Sequence, residues 1–94
     1  MLVDIVDAHT REGYELYVRF ADGAEGIVDI SQYISFHGIF APLRDLEYFR
    51  RVRVDPDLGT VVWPNGSDLD PDALYSKVTG SPLVSQRSDL FTRS

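Results

Sequence analysis

The chain predicts an α+β fold: a five-stranded, mainly antiparallel sheet with two or three short helices packed on one face. Three observations carry this. Tyr14, Leu16, Val18 and Phe20 alternate with Glu15, Tyr17 and Arg19, the period of a half-buried strand. Asp22-Gly23 follows between two strand-like runs, a strong signal for a tight antiparallel turn. Asp70-Pro71-Asp72 reads as a helix start, because an aspartate accepts from free backbone N–H groups and a proline has none to leave unpaired.

The elements follow in order. Residues 2–8 are rich in Val and Ile and stop at Thr10-Arg11-Glu12-Gly13, which predicts a first strand and a turn. Residues 14–20 form the second strand and residues 25–30 the third. Ser31 is placed to cap one turn of helix reaching Ile34. Residues 36–43 match neither the helical nor the strand period and are expected to cross the sheet as an apolar connector. Asp45 is an N-cap for a short helix to Arg50 or Arg51, with Leu46 and Phe49 three apart on its inner side. Val52 and Val54 alternate with arginines, Asp55-Pro56-Asp57-Leu58-Gly59 reverses the chain, and residues 60–63 return as a fifth strand. Trp63-Pro64-Asn65-Gly66 then ends that strand, since proline cannot donate to a ladder and Asn-Gly favours a turn. The last helix runs from Pro71 with Leu74, Tyr75 and Val78 on one face, and Gly80-Ser81-Pro82 stops it. Residues 1–79 are thus expected to be a single domain and residues 80–94 a flexible polar tail.

Composition narrows the function. The chain has 94 residues, 44% hydrophobic and 26% charged, which suits one small folded domain rather than a disordered acidic segment. Its apolar runs are far shorter than the ~18–20 residues that cross a bilayer, and Met1-Leu2-Val3-Asp4 lacks the basic start of a signal peptide. No membrane association and a cytoplasmic location are the expectation. With no cysteine, disulfides, thiolate zinc sites and cysteine nucleophiles are excluded. A net charge of −6 repels a phosphate backbone on average, so direct nucleic-acid binding is disfavoured.

Candidate chemistry is sparse. Asp68-x-Asp70-x-Asp72 imitates the opening of a calcium loop, but the glycine and bidentate glutamate that such a loop needs are replaced by Ala73 and Thr79. Helix capping accounts for these aspartates. Neither a Gly-x-Ser-x-Gly elbow nor a glycine-rich phosphate loop is present. No catalytic, cofactor or metal residues are therefore assigned. Asp22, Gly23, Pro64, Asn65, Gly66, Asp68, Asp70 and Pro71 are read as structural.

The concentrated positive feature is Arg44, Arg50, Arg51 and Arg53. It reads as a solvated face balanced by Asp45, Glu47 and Asp55, as a surface for a protein partner, or as a phosphate-binding patch. Trp63 is either a binding anchor or a cover for the core. These four arginines and Trp63 are the candidate partner-binding residues. An alternative function, a small ligand-binding protein or enzyme, would use His37, Asp68 and Tyr75.

Phe40-Ala41-Pro42-Leu43-Arg44-Asp45, Tyr48-Phe49-Arg50-Arg51-Val52-Arg53-Val54-Asp55 and the run from Gly59-Thr60-Val61-Val62 through Trp63-Pro64-Asn65-Gly66-Ser67-Asp68-Leu69-Asp70-Pro71 together resemble a widespread bacterial family of small domains of unknown function. Phe20-Ala21-Asp22-Gly23 and Val28-Asp29-Ile30 match its hairpin. The resemblance covers roughly residues 2–75. It implies a domain that occurs alone, fused to a helix-turn-helix domain, or beside another small gene in a toxin-antitoxin-like arrangement. It transfers no catalytic residues. The expected function is a non-enzymatic protein-interaction module, antitoxin-like or regulatory, that binds a protein partner or forms a homodimer.

Overall fold

A computed structural model of the chain describes residues 3–80. The predicted tail therefore lies outside the described residues, apart from Gly80.

Strands β1 (Ile5–Thr10), β2 (Glu15–Phe20) and β3 (Glu25–Asp29) form an antiparallel sheet in that order. The alternation in β2 sets the two faces. Leu16 lies opposite Thr10 and Val28, Val18 opposite Ala8 and Gly26, and Leu16, Val18, Phe20 and Val28 are buried. The Asp22-Gly23 turn forms as expected: Asp22 Oδ1 accepts from Ala24 N–H (2.9 Å), and Gly23, at φ 94°, takes a conformation that side chains disfavour.

The five strands do not form one sheet. Strands β4 (Arg53–Asp55) and β5 (Thr60–Val62) pair antiparallel with each other as a separate two-stranded sheet. The register of β1 against β2 shifts between Ile5 and Asp7, as at a β-bulge. Ile5 N–H donates to Gly59 O (2.9 Å), tying the sheets at the β4–β5 turn without extending the ladder. All three residues of β5 are buried, so this short strand is covered on both faces.

The helical parts depart from expectation in two places. The turn after β3 is a 3-10 helix, Ile30–Gln32, capped by Asp29 rather than Ser31; Asp29 Oδ1 accepts from both Ser31 N–H (3.1 Å) and Ser31 Oγ (2.6 Å). The irregular connector is a second 3-10 helix, Gly38–Arg44. Its three-residue period puts Phe40 and Leu43 on one buried side, a spacing that an α-helical or strand template does not detect.

Helix α1 (Leu46–Phe49) is capped by Asp45, which accepts from Glu47 N–H (3.0 Å), and buries Phe49. Helix α2 (Pro71–Thr79) starts on Asp70, which accepts from Asp72 N–H (3.0 Å), and ends at Gly80. Its docking on β3 is close: a Cβ on Gly26 would fall 3.1 Å from Val78 Cγ1. The inner face of the three-stranded sheet shares one core cluster with Leu43, Phe49, Trp63, Leu69 and Leu74.

Candidate interaction surface

The stretch beginning at Trp63 works as a clasp. Trp63 is 1% exposed, and its Nε1–H donates to Phe49 O (2.9 Å) with the two rings 5.7 Å apart. It lies in the core cluster, the place that the core-cover alternative gives it. Asn65 reaches across 26 positions, donating from Nδ2 to Ile39 O (2.7 Å) while Oδ1 accepts from Ser67 N–H (3.1 Å) and Ser67 Oγ (2.8 Å). Pro64 and Gly66 form the turn between them, closed by Gly66 N–H donating to Trp63 O (2.9 Å) with Gly66 at φ 88°. Thr60 Oγ1–H donates to Leu69 O (2.6 Å), and Asp68 bridges to Val62. Trp63, Asn65 and Thr60 thus each spend a side-chain donor on a backbone carbonyl elsewhere in the fold.

His37, Asp68 and Tyr75 stand on three different parts of the fold. The Tyr75 hydroxyl donates to Asp22 Oδ2 (2.5 Å) on the β2–β3 turn, Asp68 sits beside β5, and exposed His37 precedes the second 3-10 helix. This same bond holds the Asp22 carboxyl below its ordinary range and pushes the Tyr75 phenol above its own. Among the described residues, no group of three or more His, Asp or Glu side chains is placed to hold a metal ion.

The arginines are exposed, and three have intramolecular partners. Arg44 Nη2–H donates to Phe36 O (3.1 Å) and its guanidinium lies 5.9 Å from the centre of the Phe36 ring. Arg50 pairs with Glu47 at 3.6 Å, and Arg51 lies over Tyr48 at 5.8 Å. Arg53 stands on β4 opposite Val62. The Tyr14 hydroxyl donates to Arg44 O, so this corner is organised around the backbone of the 3-10 helix.

The outer face of the three-stranded sheet is the surface that sequence reasoning did not assemble. Register places His9, Tyr17 and Ile27 in one row across the strands, flanked by the row Asp7, Arg19 and Glu25 and by the pair Glu15 and Asp29. His9 stacks on Tyr17 with ring centres 4.7 Å apart and planes at 26°. The Tyr17 hydroxyl donates to Glu25 Oε1 (2.6 Å), which raises the Tyr17 pKa, with desolvation as the smaller cause. Ile27 remains 50% exposed in the same row, and Val6 at the β1 bulge 46%. The alternation in β2 had already separated Tyr17 and Arg19 from the core side; what it could not supply was the identity of their neighbours on β1 and β3.

The family model described as "Protein of unknown function (DUF2442)" matches residues 5–80. The chain belongs to this family. The match runs from the first residue of β1 to the glycine that closes α2, so it takes in every strand and helix described above. No curated protein and no solved structure matches the chain. Among the described residues, no helix is long and apolar enough to cross a membrane.

Proposed function

We propose that this domain is a non-enzymatic protein-interaction module that contacts its partner through the outer face of the β1–β2–β3 sheet. The observation that carries this reading is the exposed row of His9, Tyr17 and Ile27, two stacked rings beside an aliphatic side chain with charged residues around them. An apolar and aromatic centre within a polar rim is the arrangement on which protein contacts concentrate their energy. The commitment of the Trp63, Asn65 and Asp70 side chains to backbone bonds supports a scaffolding role for that motif. The resemblance to domains encoded beside a possible toxin supports a regulatory, antitoxin-like role, with a protein partner or a second copy as the bound species.

The test is co-expression with the product of the neighbouring gene, together with light scattering of the purified chain at micromolar concentration. Co-purification or a dimer is expected, and Ile27→Asp should abolish it while leaving the unfolding temperature of the domain nearly unchanged. A strictly monomeric chain that retains no neighbouring product would overturn the reading.

A further inference from the structure

We infer that Asn65-Gly66 is a deamidation site that the clasp holds unreactive in the folded chain, so that loss of the Asn65 amide marks chains whose clasp has opened. This inference stands apart from the interaction reading above. Asn65 is the only asparagine of the chain, and the residue after it is glycine. In such a pair the main-chain nitrogen meets no Cβ on its way to the amide carbon, which makes the asparagine intrinsically labile.

The step is an intramolecular displacement. The Gly66 nitrogen gives up its proton to solvent and attacks Asn65 Cγ, the new C–N bond closes a cyclic imide, and Nδ2 leaves as ammonia. Water then opens the imide at either carbonyl, leaving aspartate or its isoaspartyl isomer at position 65. Water is the only co-reactant, and it has access, since Pro64, Asn65 and Gly66 are all exposed.

Exposure alone predicts rapid loss of the amide, and the hydrogen bonds reverse that expectation. The Gly66 N–H, which carries the proton that must depart, donates to Trp63 O (2.9 Å). The leaving nitrogen, Asn65 Nδ2, donates to Ile39 O (2.7 Å), while Oδ1 accepts from Ser67 N–H (3.1 Å) and Ser67 Oγ (2.8 Å). Trp63 and Ser67 are buried, so these partners are fixed by the core. Ring closure removes the Gly66 proton and expels Nδ2, and therefore loses the bonds to Trp63 O and Ile39 O. The reaction thus proceeds through an opened clasp, at a rate that follows the population of that state.

The product cannot restore the clasp. Aspartate has no donor for Ile39 O, and the isoaspartyl form lengthens the main chain inside the turn. Either product adds a negative charge, which separates modified from unmodified chains by anion exchange.

The test incubates the full chain at mildly alkaline pH, folded in buffer and unfolded in guanidinium chloride, and follows amide loss by mass spectrometry of the fragment containing Asn65. A synthetic peptide spanning residues 61–69, present in both solutions, corrects for the effect of the denaturant on the chemistry. The folded chain should lose its amide at least about tenfold more slowly than the unfolded chain, the equivalent of ~1.4 kcal/mol. Ser67→Ala removes one bond to Oδ1 and should bring the folded rate part-way to the unfolded one. Hydrogen exchange of the Gly66 amide should be slow in the parent and quicken in this variant, while protected amides in β1, β2 and β3 show that the variant is folded.

Equal rates in the folded and unfolded chains, or faster loss in the folded one, would overturn the inference. So would a folded Ser67→Ala chain that deamidates no faster than the parent. If Ser67→Ala does not fold, the comparison within the parent chain and its Gly66 exchange decide alone.

Discussion

Asn65 is exposed, yet its side chain makes three hydrogen bonds that join two distant parts of the chain. Ser67, at 2% exposure, depends on it for both its N–H and its hydroxyl. Asn65→Ala therefore strands buried donors as well as freeing Ile39 O, and an unsatisfied buried group costs about 1–3 kcal/mol. Urea unfolding should show that loss at an unchanged slope. Asn65→Asp keeps the Oδ1 acceptor but faces an anion toward Ile39 O, so it should recover part of the stability and not all of it. A destabilisation indistinguishable from that of an exposed loop substitution would remove Asn65 from the clasp. The Asn-Gly pair was legible as a turn because turn chemistry is local. Its reach to Ile39 was not, because nothing in the adjacent residues encodes a partner 26 positions away.

At the scale of elements, Gly26 sets how closely α2 can approach β3. Its missing Cβ would stand 3.1 Å from Val78 Cγ1 and 3.2 Å from Val78 Cγ2, so a side chain here requires Val78 to give way. Gly26→Val gains strand propensity but overpacks this contact, a change worth about 1–3 kcal/mol of destabilisation. In a Val78→Ala background the added methyls enter the vacated space, and the cost of Gly26→Val should fall well below its value in the parent chain. Equal costs in the two backgrounds, measured by thermal unfolding in a double-mutant cycle, would contradict the contact. The strands themselves were readable from the alternation in β2, the Asp-Gly turn and the aspartate caps of α1 and α2. Their grouping into sheets was not. Which strands pair is decided by contacts between distant segments, and the register shift between Ile5 and Asp7 likewise leaves no mark on a hydrophobic period. The second 3-10 helix escaped for a related reason: its buried Phe40 and Leu43 repeat every three residues, between the two periods that sequence patterns resolve.

At the scale of the whole fold, Tyr75 on α2 donates to Asp22 on the β2–β3 turn, a bond between residues 53 positions apart. The Tyr75 ring also packs edge-on against Phe20 at 5.0 Å, so Tyr75→Phe removes the hydroxyl while retaining the ring contact. The bond from Tyr75 is the first cause that lowers the Asp22 pKa from 3.8, followed by the Ala24 N–H, and the bond to Asp22 is the first cause that raises the Tyr75 pKa from 10.0. A carboxyl with a lowered folded pKa binds fewer protons than in the unfolded chain, so its contribution is full above pH 3.8 and is lost as pH falls through the folded value. A phenol with a raised folded pKa contributes fully below pH 10.0 and loses that contribution as pH rises through its folded value. The stability difference between the parent chain and Tyr75→Phe should thus be a plateau between those limits that narrows on both sides. The Tyr17–Glu25 bond titrates at high pH as well, but it is present in both proteins and cancels from the difference. Thermal unfolding of the two chains across the pH range reads this directly. A gap that stays constant below pH 3.8 and above pH 10.0 would show that the bond does not couple the helix to the hairpin.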